Sequence, residues 1–266
     1  MMKPAPWPAL FILGSFSFSA SVAAAEWGRN ATLTPGWDRI TWAAKRAATS
    51  TETWGPLAGA LVLQIGHADE HLQSWAAQHT PLFGSQQDAD RASDNLKRAA
   101  SVLWLASALA TPGSDTAGQW MLDKAQGIAV QEGAGMLLRS TVGVLKDGTH
   151  RTRPNGLGAT SFPSDHASQT SFYATLASRN IGSMGWSDKT KTLARFGLST
   201  LTSVTAWARV EANQHYPSDV LAGIALGHFF GAFFTDAFLG IDDPERLMVQ
   251  FEPLRNGFQM NVRFAI

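Results

Sequence analysis

The segment Ser218–Leu239 is almost continuously apolar, interrupted by His228 and Asp236. It constrains the fold more than any other stretch, because a helix of that length and composition has two outlets. It crosses a bilayer, or it is buried on all sides at the centre of a bundle. The two polar residues inside it favour the bundle. Four more stretches, dense in Ala and Leu and poor in breakers, read as long helices: Asp88–Leu109, Thr116–Leu145, Asp165–Asn180 and Lys189–Val210. Shorter helices are expected over Trp37–Ala47 and Pro56–Gly66. Breaker clusters at Thr111-Pro112-Gly113, Pro154-Asn155-Gly156 and Gly182–Gly185 separate these elements. The expectation is an all-α chain of one domain, a helical bundle large enough at 266 residues to bury its own core.

The tail differs. Val249 and Phe251 alternate with polar residues, Asn256-Gly257 follows, and Phe258, Met260, Val262, Phe264 and Ile266 alternate again. A period of two on both sides of Asn-Gly predicts a small C-terminal β-hairpin over about 247–266. Such a ribbon packs on its own bundle or offers an edge to a partner.

At the other end, Met1-Met2-Lys3 provides a short basic start, Ala9 to Ala20 is small and apolar, and Ala23-Ala24-Ala25 offers a small-x-small cleavage site. This is the layout of a secretory signal peptide over 1–25, leaving a domain of 26–266 for the periplasm or cell envelope. There is no Cys, so packing rather than disulfides must hold an exported chain together. Lys plus Arg and Asp plus Glu both number 21, and this lack of basic excess argues against a nucleic-acid partner. Any cationic character the protein uses is local.

Three patches concentrate residues suited to holding a phosphate. The first runs from Lys146 to Pro154 and carries Lys146, His150, Arg151 and Arg153. Arginine matches phosphate oxygens two at a time, and lysine adds a point charge. The second is Phe162-Pro163-Ser164-Asp165-His166, directly before a helical run. Ser164 is a natural N-cap there, and the free N–H groups of a first helical turn favour an anion. The third runs from Arg209 to Asp219, with His215 in a connection and Asp219 at the start of the next helix. A carboxylate four residues after a histidine can bind one ring nitrogen and leave the other as a nucleophile.

In order and spacing these patches resemble the type 2 phosphatidic acid phosphatase family, which shares its site with bacterial class A acid phosphatases and vanadium haloperoxidases. The matching residues are Lys146, Arg153-Pro154, Pro163-Ser164, His166, Arg209, His215 and Asp219, a catalytic core over 146–219. The resemblance implies the helical bundle of the acid phosphatase/vanadium haloperoxidase type and hydrolysis of a phosphate monoester, lipid or soluble. It further implies attack on phosphorus by His215, orientation and charge stabilisation by Asp219, and protonation of the leaving oxygen by His166. Lys146, Arg153, Ser164 and Arg209 would bind phosphate oxygens together with the backbone near Asp165, and no metal or other cofactor is called for. Two positions depart from the family pattern: Asp165 replaces the usual Gly, bringing a negative side chain near an anionic substrate, and Ala208 replaces Ser.

Three other readings stand beside this one. A vanadate-dependent haloperoxidase would use the same pocket, with His215 as the vanadate ligand. A non-catalytic protein binding phosphate or lipid headgroups would have kept the cations but lost the chemistry. His67-Ala68-Asp69-Glu70-His71 also fits the H-x-x-E-H pattern of zinc peptidases, against the simpler expectation of a polar helix surface. The partner implied by the favoured reading is a small-molecule or lipid phosphate, with peripheral contact to a membrane left open.

Overall fold

The computed structural model describes residues 27–241, 247–254 and 257–264; the expected signal segment 1–25 lies outside the described residues. Eight α-helices form the body: α1 (Trp37–Thr49), α2 (Thr51–Leu63), α3 (Ala68–His79), α4 (Gln86–Ala110), α5 (Ala117–Thr149), α6 (Asp165–Gly182), α7 (Asp188–Glu211) and α8 (Pro217–Phe234). The last continues as a π-helical turn over Thr235–Leu239. Backbone pairing makes β1 (Leu247–Leu254) and β2 (Gly257–Phe264) an antiparallel ribbon, with Leu254 opposite Gly257 and Val249 opposite Val262.

The expected helices are present, with two differences. Helix α2 begins at Thr51 instead of Pro56. Proline in the second turn costs a single backbone hydrogen bond, to the carbonyl four residues back, and the helix accepts it. Helix α3 is an addition to the expected set. It has few apolar residues, and its inward face consists of Asp69, Gln73, Ala76 and Ala77.

Helix α8 is the centre of the molecule, touching α1, α2, α5, α6 and α7. Pro217–Leu239 is long and apolar enough to cross a membrane, yet 56% of its most apolar window is buried within the protein. Its two interrupting polar residues meet protein partners: His228 Nδ1 lies 2.8 Å from Thr53 Oγ1, and Arg179 donates to the Asp236 carboxylate at 2.7 Å. Within the protein this is a central helix, covered by its neighbours over part of its circumference.

A stripe of glycines sets how closely α8 meets α6. A Cβ at Gly223 would come within 2.6 Å of the Ser164 carbonyl oxygen, one at Gly227 within 2.1 Å of the Ser168 carbonyl oxygen, and one at Gly231 within 3.0 Å of Thr175. With hydrogen at those positions the helix backbones touch, and Ser171 Oγ donates across the seam to the Ile224 carbonyl at 2.7 Å. The seam also aligns the two helix N-termini: Ser164 N–H donates to the Asp219 carbonyl at 3.0 Å. Residues 164–166 and 215–219 are thereby brought to one end of the bundle.

Candidate active site

A cavity of about 540 Å³ opens at that end, lined by Asp90, Asp94, Lys146, Arg153, Thr160, Asp165, His166, Arg209, Gln214 and His215. Four helices and two loops supply it, the second loop being the α7–α8 connection with Gln214 and His215. Lys146 projects from the last turn of α5, and Arg153 and Thr160 from the loop that follows. Asp165 and His166 open α6, Arg209 lies in the last turn of α7, and Asp90 and Asp94 are one turn apart on α4.

His215 lies in the tight connection between α7 and α8. Its backbone N–H and that of Gln214 both donate to the Arg209 carbonyl, at 3.3 and 3.2 Å. Asn213 takes a left-handed conformation, φ 58°, which Asn adopts more readily than most residues. The imidazole is 1% exposed. Its Nδ1–H donates to the Ser161 carbonyl at 2.7 Å, which fixes the tautomer and leaves Nε2 with its lone pair. Asp219 Oδ2 stands 3.8 Å from Nδ1, beyond hydrogen-bond length. The sequence expectation of a direct Asp219–His215 hydrogen bond is therefore corrected. Asp219 spends that oxygen on the Ser161 hydroxyl at 2.6 Å and on the Tyr216 N–H at 2.9 Å, as an N-terminal cap of α8. It holds the loop that holds His215, and its charge lies 3.8 Å from the ring's Nδ1. Burial pushes the His215 pKa down to about 4, reinforced by Arg209 and Lys146 and opposed by Asp219, so the ring is neutral at ordinary pH.

The cations are held in turn. Arg209 is 5% exposed, and its guanidinium donates to Asp90 and, at 2.9 Å, to Ser93 Oγ. Arg153 donates to the Gln214 side chain. Lys146 Nζ donates to the Thr160 carbonyl at 2.6 Å, and burial followed by the nearby Arg153 draws its pKa down. His166 Nε2 bonds Asp94 Oδ1 at 2.7 Å. Asp165, which replaces the family glycine, accepts from Gln169 Nε2 at 2.7 Å. That bond ties the carboxylate to its own helix.

Six of the eight residues expected at the site line the cavity: Lys146, Arg153, Asp165, His166, Arg209 and His215. Asp219 and Ser164 are fully buried behind it. Ser164 Oγ accepts weakly from Ala167 N–H at 3.5 Å, so in this structure the residue caps α6. Sequence reasoning missed a second layer. Asp69 is fully buried on α3 and accepts from Ser218 N–H at 2.8 Å and from Arg151 at 2.7 Å. Arg151 donates its other nitrogen to Asp219 at 2.7 Å, bridging two buried carboxylates. Within His67–His71, then, the inward residue is Asp69, while His67, Glu70 and His71 face solvent. Asp90 and Asp94 were also missed. Their i, i+4 spacing was visible, but acidic pairs at that spacing are common on solvated helix faces.

The geometry defines a largely helical protein in which His166 and His215, beside the adjacent N-termini of α6 and α8, share one cavity with three cations, Lys146, Arg153 and Arg209. Residues 129–240 match the PAP2 superfamily model. Among solved structures it is similar to "the first transmembrane PAP2 type phosphatidylglycerolphosphate phosphatase from Bacillus subtilis", with 17% sequence identity and a TM-score of 0.50. That match covers 70% of this chain and 95% of the other. At this identity the likeness speaks to the fold. No curated protein matches the chain.

Proposed function

We propose that the cavity is the active site of a phosphatase that cleaves phosphate monoesters through a phosphohistidine on His215. The observation that carries this reading is the state of His215: buried, neutral, fixed through Nδ1 by the Ser161 carbonyl, and set in a cavity with three cations. A neutral imidazole with an oriented lone pair is a nucleophile at neutral pH. Lys146, Arg153 and Arg209 would hold the phosphate oxygens, since phosphoryl transfer is catalysed mainly by positioning and by countering charge. For Arg209 this means exchanging or sharing its Asp90 partner. His166 would protonate the leaving oxygen and then take a proton from the attacking water.

The match of residues 129–240 to the PAP2 superfamily model supports the reaction class, and the lipid phosphatase with the similar fold supports including phosphatidylglycerolphosphate among the first substrates tested. A row of exposed apolar side chains on and just after α2, namely Trp54, Leu57, Leu61, Val62 and Ile65, supports peripheral contact with a membrane. The N-terminal sequence supports placement in the cell envelope.

The test is a panel of lipid and soluble phosphate monoesters with rapid quenching into base and recovery of acid-labile phosphohistidine. His215→Ala should abolish turnover of every substrate and the trapped intermediate. Turnover by that variant, or a wild-type enzyme that never labels on histidine during turnover, would overturn the mechanism.

A further inference from the structure

Asp94 lies one turn beyond Asp90 on α4, on the side that meets α6 and α7. Its Oδ1 is 2.7 Å from His166 Nε2; the histidine side chain is 18% exposed and the aspartate 50%. With Nε2–H committed to this carboxylate, Nδ1 is the ring nitrogen left to exchange a proton with substrate.

We propose that Asp94 is a positioning residue for His166, holding the Nε2 proton through the whole cycle so that Nδ1 alone gives and takes the catalytic proton. The inference rests on the phosphohistidine reading above. In the first step His215 Nε2 bonds to phosphorus, the ester P–O bond breaks, and the departing oxygen takes the proton from Nδ1 of charged His166. In the second step water gives a proton to the same Nδ1 and attacks phosphorus, and the P–N bond breaks to release phosphate. His166 ends as it began. Throughout, the Nε2–H to Asp94 bond fixes the ring against rotation.

The surrounding charges make the pairing matter. Burial and then the Arg209 guanidinium push the His166 pKa down, with Lys97 adding to that, and Asp94 pulls it back up. Reciprocally, the bond to His166 holds the Asp94 carboxyl below its ordinary range. The remaining charged groups at the cavity wall are Asp90, Lys146, Arg153 and Asp165, beside the neutral, titratable His215. Without Asp94, the influences on His166 that remain are burial, Arg209 and Lys97, all of which lower its pKa. The ring then loses its proton at lower pH.

The test compares Asp94→Asn and Asp94→Glu with wild type on an alkyl phosphate and an aryl phosphate across pH. For the alkyl ester, Asp94→Asn should lower kcat by about ten- to a hundredfold, a share of the 10²–10⁴-fold that general-acid help is worth. The limb that requires protonated His166 should move to lower pH, KM should change little, and Asp94→Glu should recover part of the loss. The aryl ester, with its better leaving group, should be affected much less. In a His166→Ala background Asp94→Asn should add nothing further. In the inactive His215→Ala variant, the NMR titration of the His166 ring should show the same lowering without any turnover. Equal losses on both esters, an unmoved His166 titration, or a full further loss in His166→Ala would overturn the proposal. Failure of the underlying reading looks different, since it would appear as turnover by His215→Ala alone.

Discussion

Replacing Gly227 with Ala tests the seam that assembles the site. The added Cβ would sit 2.1 Å from the Ser168 carbonyl oxygen, 2.9 Å from the Phe172 nitrogen and 2.9 Å from Ser171 Cβ. Two of these are backbone atoms of α6, which no rotamer change can move. Restoring an ordinary contact requires the helices to part by roughly 1 Å, in an interior packed as densely as a crystal. Overpacking of this kind costs about 3 kcal/mol, the upper part of its usual range, and better helix propensity offsets about 1 kcal/mol. The net loss of about 2 kcal/mol corresponds to a fall in Tm of roughly 4–8 °C for a chain of this size. Activity should suffer more than stability, because α6 carries His166 while the start of α8 anchors the loop of His215. A misplacement of about 1 Å between reacting groups can cost on the order of 10² in rate. The controls are Gly133→Ala and Gly143→Ala on α5, where a Cβ meets nothing within 4 Å. Each should gain about 0.5–1 kcal/mol. The assays are thermal and denaturant unfolding, with kcat measured on the same preparations. A Gly227→Ala protein with wild-type stability and rate would refute the close seam.

Two further predictions follow from the buried charges. His215 is neutral when folded, with its pKa near 4 against an ordinary 6.5, so between those values the unfolded chain binds a proton that the folded one does not. Its contribution to stability is thus full above the ordinary value and declines as pH falls towards 4, by on the order of 3 kcal/mol; His215→Ala should flatten that part of a stability–pH curve, and an unchanged slope would count against a buried neutral ring. Arg151→Met leaves Asp69 and Asp219 facing each other without their shared cation, and should cost about 3 kcal/mol, visible as a lowered unfolding midpoint. Adding Asp69→Asn should restore part of that loss; no rescue would argue that Arg151 acts through packing alone.

How legible the fold was depended on burial. Helices α4 to α8 could be read because each carries enough Ala, Leu or other apolar residues to declare a buried face or a buried whole. Helix α3 could not, since its inward face is led by Asp69 and Gln73. A buried carboxylate resembles a surface one until its partners are known, and those partners, Arg151 and Ser218, are distant in sequence. The same reason hid Asp90 and Asp94. Their significance lies in Arg209 and His166, across the cavity on other helices.

The local sequence by itself determined which residues could do the chemistry. Cations and histidines at fixed spacing around a proline-rich loop and two helix starts are written in a short stretch of chain, and short-range rules read them. Only the tertiary structure decided how those groups are held: that the Ser161 carbonyl, rather than Asp219, accepts the hydrogen bond from His215 Nδ1–H, that Arg151 joins two buried carboxylates, and that His166 bonds to Asp94 on α4. A hydrogen bond depends on tenths of an ångström between atoms far apart in sequence. Those distances are set by how closely α8 lies against α6, where three glycines let the backbones touch.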